Sequence, residues 1–274
     1  MQNFLNNNGL LTLIAGPCAL ESYENALGIA KTLKSIAERL KIDYYFKVSI
    51  DKANRTSATH YRGLGFEKGV EVLAQIKNEA NVRVVTDIHE PWQAQKIAEV
   101  ADIIQVPAFL CRQTDLLKAA AETGKIINVK KAQFMNPDEM GKIAEKLLYF
   151  GNDKILLCER GNAFGYNNLI VDMTGLVRMK KHGYPVVFDA THSVQISGGG
   201  LKVSNSGASE YVPYLAKAAL ATGAVDVLFM ETHNDPKNAL CDGSCMVELS
   251  KMEKLLEKCI QIFELCKEDA NVCP

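Results

Sequence analysis

An excess of charge of either sign is missing from this chain: 31 Lys and Arg stand against 32 Asp and Glu, for a formal net charge of −1. No global field would draw nucleic acid or an anionic membrane surface to it. Aromatic residues are sparse at 7%, with a single Trp, and no hydrophobic run approaches transmembrane length. The apolar stretch Leu10 to Leu20 contains Ala15-Gly16-Pro17-Cys18, faintly like a lipoprotein cleavage site. No basic residue precedes it and Pro17 interrupts it, so no signal peptide or membrane partner is expected. No Pro/Ser-rich linker or break in composition divides the sequence either. A single domain over residues 1–274 is therefore expected, and 47% hydrophobic residues can fill its core.

Eight cysteines are present, scattered along a long chain rather than packed into a short one. That pattern predicts reduced thiols and a cytoplasmic location instead of a disulfide framework. Cys259, Cys266 and Cys273 recur every seven residues on a helix-like tail and read as small apolar side chains of one face. Cys241-x-x-x-Cys245 has no second Cys or His pair nearby to complete a structural zinc site.

Short β-rich runs recur throughout, at Leu11-Gly16, Tyr44-Val48, Arg83-Asp87, Asp102-Val106, Lys125-Val129, Lys154-Cys158, Pro185-Asp189 and Val225-Met230. Between them lie segments of helical spacing such as Tyr23-Leu40, Gly69-Asn78, Asp115-Thr123, Pro137-Leu148 and Tyr211-Thr222. Eight alternations predict an α/β fold, a single (β/α)8 TIM barrel, ahead of an open doubly wound sheet. In such a barrel the active site lies where strands end and the following loops begin. Those places carry Cys18, Lys47 to Arg55, Asp87, His89, Gln105, Lys130, Arg160, His192, Glu231 and His233.

Two chemistries are expected on that rim. Lys47, Lys52 and Arg55 fall within nine residues after the second strand, with Asn54 and Thr56 as neutral donors, and Lys130 and Arg160 end the fifth and sixth strands. Five cations around one opening suit a ligand with two anionic groups, or two phosphorylated ligands side by side. The plain alternative has Lys130 and Arg160 pairing with a local acid such as Glu159 at the surface. Cys18, His192, Glu231 and Asp242 come from neighbouring strands of a closed barrel and combine sulfur, nitrogen and oxygen donors. That set favours a borderline divalent ion, Zn, Fe, Mn or Co, over Mg or Ca. Ser193 to Glu210, with Ser197-Gly198-Gly199-Gly200, reads as a lid over the opening.

The motifs as a set resemble the 3-deoxy-D-manno-octulosonate 8-phosphate synthase (2-dehydro-3-deoxyphosphooctonate aldolase) family nearly end to end. They are Ile14-Ala15-Gly16-Pro17-Cys18-Ala19-Leu20-Glu21-Ser22, Phe46-Lys47 with Asp51-Lys52-Ala53-Asn54-Arg55, Thr86-Asp87-Ile88-His89-Glu90-Pro91 and Ile104-Gln105-Val106-Pro107-Ala108-Phe109-Leu110. They continue with Arg112-Gln113-Thr114-Asp115, Asn128-Val129-Lys130-Lys131, Glu159-Arg160-Gly161, Phe164-Gly165-Tyr166, Phe188-Asp189-Ala190-Thr191-His192 and Cys241-Asp242-Gly243. The resemblance implies condensation of phosphoenolpyruvate with D-arabinose 5-phosphate, a homotetramer and a place in lipopolysaccharide biosynthesis. It implies that Lys130, Arg160 and the Pro107-Ala108 backbone hold the phosphoenolpyruvate phosphate with Gln105 close by, while Lys47 and Lys52 face its carboxylate. Asn54, Arg55, Thr56 and Ser57 would contact the sugar phosphate, and Arg112 would reach a neighbouring subunit's site. Lys52, Asp87, Lys130 and His192 are the implied catalytic residues, with Asp87 or His192 handling protons.

Metal-dependent members of that family carry Cys where Cys18 stands and metal-independent ones carry Asn. This chain pairs Cys18 with Cys241-Asp242-Gly243, a triplet typical of the metal-free group, and has Ser244 in place of the usual Pro. Thr56 stands where Ser is usual, which is also a feature of the related 3-deoxy-heptulosonate 7-phosphate synthases that use erythrose 4-phosphate. Ala53-Asn54 favours the octulosonate enzymes. A Schiff-base aldolase built on Lys130, and a barrel that merely binds phosphorylated metabolites, are the remaining alternatives.

Overall fold

The computed structural model describes residues 4–5, 7–55, 57–164, 168–196 and 208–269. Among them eleven strands and eight α-helices follow in order: β1 (Thr12–Gly16), α1 (Tyr23–Leu40), β2 (Asp43–Lys47), α2 (Phe66–Ala80), β3 (Arg83–Asp87), α3 (Gln93–Ala98), β4 (Ile103–Val106) and α4 (Thr114–Ala121). Next come β5 (Ile126–Lys130), α5 (Met140–Tyr149), β6 (Ile155–Glu159), the two-residue hairpin β7 (Asn162–Ala163) and β8 (Leu169–Ile170), and α6 (Met173–Lys180). The chain finishes with β9 (Val186–Asp189), α7 (Val212–Leu220), β10 (Val227–His233), β11 (Val247–Glu248) and α8 (Leu249–Asp269). Strands β1 to β6, β9 and β10 run parallel in chain order, and β10 pairs back to β1 with Thr12 opposite Val227 and Gly16 opposite Glu231. The sheet closes, so the architecture is the (β/α)8 barrel and not the open sheet. Among the described residues no helix is long and apolar enough to cross a membrane.

Each strand serves two cores because its side chains alternate in direction. Leu13, Ala15, Phe46, Val84, Ile104, Val129, Leu157, Phe188, Leu228 and Met230 face outward into the layer packed under the helices. The other parity, Ile14, Tyr45, Val85, Ile103, Leu156, Cys158, Val187, Val227 and Phe229, fills the barrel itself, with Leu5 packed against it. Strands buried on both sides have no polar face, which is why they read as continuous apolar runs. The helices bury one stripe each; α1 is capped by Ser22, whose side chain accepts from the Asn25 backbone N–H at 3.2 Å.

Two glycines show opposite constraints. At Gly16 a side chain would lie 2.1 Å from the Lys47 carbonyl oxygen, so this close approach of β1 to β2 admits no Cβ. Beyond it the two loops stay paired, with Leu20 N donating to Ser49 O at 2.9 Å and Ser49 N to Cys18 O at 3.2 Å. That ladder brings Cys18 alongside the loop that carries Lys47 and Lys52. Gly28, inside α1, has open space where a methyl group would stand, with no described atom beyond its chain neighbours and its own helix backbone within 4 Å, and its backbone is ordinary helix. Gly16→Ala is expected to destabilise by about 3 kcal/mol through overpacking, whereas Gly28→Ala is expected to stabilise by roughly 0.5–1 kcal/mol. Urea unfolding of the two variants measures both signs.

Candidate active site

Alternation also delivers the charged residues. Two positions after an inward apolar or neutral residue, each of these strands places a polar one at its C-terminal end: Lys47 after Tyr45, Asp87 after Val85, Gln105 after Ile103, Lys130 after Asn128, Asp189 after Val187 and Glu231 after Phe229. Arg160 follows Cys158 by the same step, just past β6. All seven are buried. A polar layer therefore caps the apolar barrel core at one mouth.

The cations in it are held by specific partners. Lys47 Nζ donates to Ser49 Oγ at 2.8 Å and stands 3.7 Å from Glu231 Oε1. Lys130 pairs with Asp189 and lies over the Phe229 ring, 3.4 Å from its centroid. Arg160 donates through Nη2 to Gln195 Oε1 at 2.8 Å, while its Nη1 is buried with no partner among the described residues. Burial pushes the Arg160 guanidinium down from its ordinary value, with neighbouring carboxylates opposing. Lys52 is buried as well; burial works against its charge, but Cys18, Glu231, Cys241 and Asp87 outweigh it and hold the ammonium well above its usual value. Glu159 is not a surface partner for Lys130 or the Arg160 side chain. It accepts from the Arg160 and Gly161 backbone N–H groups at 2.9 and 2.6 Å and pairs with buried Lys131 at 3.3 Å.

Beside the cations lies a cluster of metal-ligand chemistry. Cys18 Sγ and Cys241 Sγ both donate to Asp242 Oδ2, at 3.2 and 3.3 Å. His192 Nε2 is 4.0 Å from the same oxygen and 3.7 Å from Glu231 Oε2. A tetrahedral ion with bonds of about 2.0–2.3 Å separates its ligand atoms by roughly 3.3–3.8 Å. The two sulfurs stand near that spacing from Asp242, and His192 stands near it from Asp242 and Glu231; neither Glu231 oxygen has a hydrogen-bond partner among the described residues although the residue is 1% exposed. The residues present thus fit a divalent ion. His192 is oriented from behind: its Nδ1 is 2.7 Å from Asp189 Oδ2 and its backbone N–H donates to Asp189 Oδ1 at 2.9 Å. Asp242 has φ of +47°, and the following Gly243 could not carry a side chain because Pro236 O would lie 2.0 Å from it. Burial opposes the charge on the Asp242 carboxyl, but Lys52 and His192 outweigh it and bring the group to about 2.

Of the residues expected from sequence, Lys47, Lys52, Asp87, Gln105, Pro107, Lys130 and Arg160 are all buried, and Ala108 opens a short turn directly after β4. His192, Glu231 and Asp242 form one donor group, and Cys18 joins Asp242 in another. Arg55 turns toward the loop after β10, donating to Cys241 Sγ and to Leu240 O. Asn54 and Arg112 are exposed and Ser57 is half-buried, with Ser57 Oγ 3.0 Å from Thr59 Oγ1. Thr56, Gly165, Tyr166 and residues 197–207 of the expected lid lie outside the described residues. Sequence reasoning missed Asp189, Gln195 and Cys241. Asp189 had a usable signal, since it ends a strand as Asp87 does. Gln195 had none, because its link from Arg160 to Asp242 Oδ1, 3.5 Å away, exists only in three dimensions.

Asp87 offers a test of this electrostatic design. Its Oδ2 is 3.4 Å from His89 Nε2. Burial alone would raise its pKa, yet Lys47, His89 and Lys52 hold it well below the usual carboxylate range. A depressed folded pKa adds stability above the unfolded pKa of about 3.9, and that stability is lost as pH falls below it. Asp87→Asn is therefore expected to be less stable than the parent at pH 7, with the deficit shrinking below about pH 4. Urea unfolding of both proteins at pH 7 and at about pH 3 checks this.

Comparison with known proteins adds the family. The model of the DAHP synthetase I family matches residues 3–268. A 2-dehydro-3-deoxyphosphooctonate aldolase of Fusobacterium nucleatum is 52% identical over 255 residues, covering 93% of this chain and 91% of that protein. One of Rickettsia bellii is 51% identical over 264 residues and 96% of each chain, and one of Cyanothece sp. is 53% identical over 250 residues and 91% of each. A match over nearly the whole barrel, including both halves of the mouth, means that the chain belongs to the DAHP synthetase I family.

Proposed function

We propose that this chain is a single-domain enzyme that condenses phosphoenolpyruvate with D-arabinose 5-phosphate and water, giving 3-deoxy-D-manno-octulosonate 8-phosphate and inorganic phosphate. The observation that carries the reading is the buried cation set Lys47, Lys52, Lys130 and Arg160, with Arg160 Nη1 lacking any partner among the described residues. A desolvated guanidinium donor at the mouth of a barrel calls for an anion. Lys130 and Arg160 bind the donor's phosphate, with Gln105 and the Pro107-Ala108 backbone beside it. Lys47 and Lys52 take the carboxylate, and the Phe229 face under Lys130 limits where the enol can lie. Arg55, Asn54, Thr56 and Ser57 take the acceptor's phosphate at the outer edge.

Carbon–carbon bond formation then needs the enol carbon held against the aldehyde, which is a positioning task that rigid, paired lysines perform. Cys18, His192, Glu231 and Asp242 would hold a divalent ion, whose chemistry is to polarise an oxygen or lower the pKa of a water. His192, fixed by Asp189 at Nδ1, turns Nε2 toward Glu231 and Asp242 as a ligand would, and the Asp87–His89 pair supplies a place for a proton. Lys130 sits in an ion pair with Asp189, not in the apolar pocket that activates a Schiff-base lysine. The Cys18 thiol would serve as a ligand only when reduced, which fits a cytoplasmic enzyme, and the product fits lipopolysaccharide biosynthesis.

Phosphate release from phosphoenolpyruvate is expected with arabinose 5-phosphate and to fall at least about 100-fold with erythrose 4-phosphate or after treatment with a strong chelator. Turnover with erythrose 4-phosphate alone would make the chain a heptulosonate synthase. Full turnover in the chelated, metal-free protein would remove the metal from the scheme.

The assembly is proposed to be a homotetramer in which Arg112 reaches a neighbouring site. Phe109, Phe134 and Phe164 support it, since these exposed aromatics follow three successive barrel strands, β4, β5 and β6, on the side of the barrel that carries Arg112. Light scattering is expected to return the mass of four chains, and Phe109→Asp with Phe134→Asp to lower it; a monomeric parent would defeat this part of the proposal.

A further inference from the structure

We infer that Cys241 is a second sulfur ligand, so that this chain binds its divalent ion with two thiolates, Cys18 and Cys241, and not one. The inference rests on the metal reading above and extends it. Cys241 Sγ and Cys18 Sγ approach the same oxygen, Asp242 Oδ2, at 3.3 and 3.2 Å, so the two sulfurs are equivalent in their relation to the cluster. The three donor atoms of Cys18, Cys241 and Asp242 lie within 4.8 Å of one another, as do those of His192, Glu231 and Asp242. Asp242 is common to both groups.

Position and charge agree with a ligand role. Cys241 is 3% exposed on the loop after β10, where the left-handed Asp242 and the side-chain-free Gly243 fix the turn. That loop is also tied to the β1–α1 loop, because Leu240 N donates to Glu21 Oε1 at 2.7 Å. Cys18 and Cys241 are therefore presented by two loops bolted to each other. A thiolate is the ligating form, and the Arg55 guanidinium donating to Cys241 Sγ complements its charge. Two thiolates in the set raise its preference for Zn, Co or Fe over Mn and Mg. The pairing of Cys18 with a Cys-Asp-Gly turn thus acquires a chemical meaning: the turn adds a softer donor to a site that already has four.

The test uses the full chain, stripped of metal under reducing conditions and loaded with one equivalent of cobalt(II). Metal content of the desalted protein is measured first, then the thiolate-to-cobalt charge-transfer absorption. The expected result is one cobalt per chain with an intensity that halves in Cys241→Ser, halves in Cys18→Ser and vanishes in the double variant. An unchanged band in Cys241→Ser together with a lost band in Cys18→Ser overturns the inference and leaves the four-ligand reading intact. Failure of the parent protein to retain cobalt overturns both. X-ray absorption of the zinc-loaded parent reports the same number without a variant, with two sulfur scatterers at about 2.3 Å expected and one being the refuting count.

Discussion

Glu231 and Lys47 are buried together at the barrel mouth, 3.7 Å apart, so that each buried charge faces an opposite one. The same constraint governs every neighbour. Lys130 answers Asp189, Lys131 answers Glu159, and Lys52 is held charged against its burial by Cys18, Glu231, Cys241 and Asp87. A mouth built this way is close to balanced, and that balance explains how five strands can end in inward, buried charges without unfolding the barrel. It also makes the mouth responsive. In the proposed function, Glu231 and Asp242 as ligands of a divalent ion would no longer be matched by Lys47 and Lys52, and both ammonium groups would be left for a substrate anion. Metal and substrate binding are then linked by shared carboxylates.

Asp189 performs the corresponding service for the other half. One carboxylate contacts Lys130, the His192 ring and backbone, and Thr191 Oγ1 at 3.0 Å, and Thr191 Oγ1 in turn accepts from the Glu231 backbone N–H at 3.1 Å. The residue is fully buried at the end of β9, so its position is set by the barrel and not by a loop. Lys130 and His192 thereby share one rigid reference, and in the proposed function β9 would stand between the donor-phosphate half and the metal half. Gln195 repeats the link one layer out, accepting from Arg160 and pointing its amide at Asp242.

The barrel was legible because its physics is periodic. Apolar runs such as Ile103-Ile104 and Leu156-Leu157 alternate with helical spacing, and the β1–β10 pairing closes the eight strands that this alternation predicts. The mouth was partly legible for the same reason: a period of two that carries Tyr45 inward must also carry Lys47 inward. What escaped was pairing between distant segments. Cys241 read as half of an unfinished zinc motif because the thiol beside it, Cys18, lies at the other end of the sequence and meets it only in the fold, where both approach Asp242. Lys130 and Glu159 looked like candidates for a pair, yet β5 and β6 turn Lys131 to Glu159 and leave Lys130 to Asp189, a choice made by strand parity that no local pattern announces.

In the proposed function Arg55 stands where the two substrates' territories would meet. It belongs by sequence to the loop after β2, the same loop that carries Lys52, but its guanidinium reaches the loop after β10 at Leu240 and Cys241. Its Nε is buried without a partner among the described residues, so one edge of the guanidinium remains uncommitted. A sugar phosphate docking on that edge would complete a fork that already grips the metal loop. Under the proposed function, the acceptor would then be sensed at Cys241-Asp242 through a single side chain.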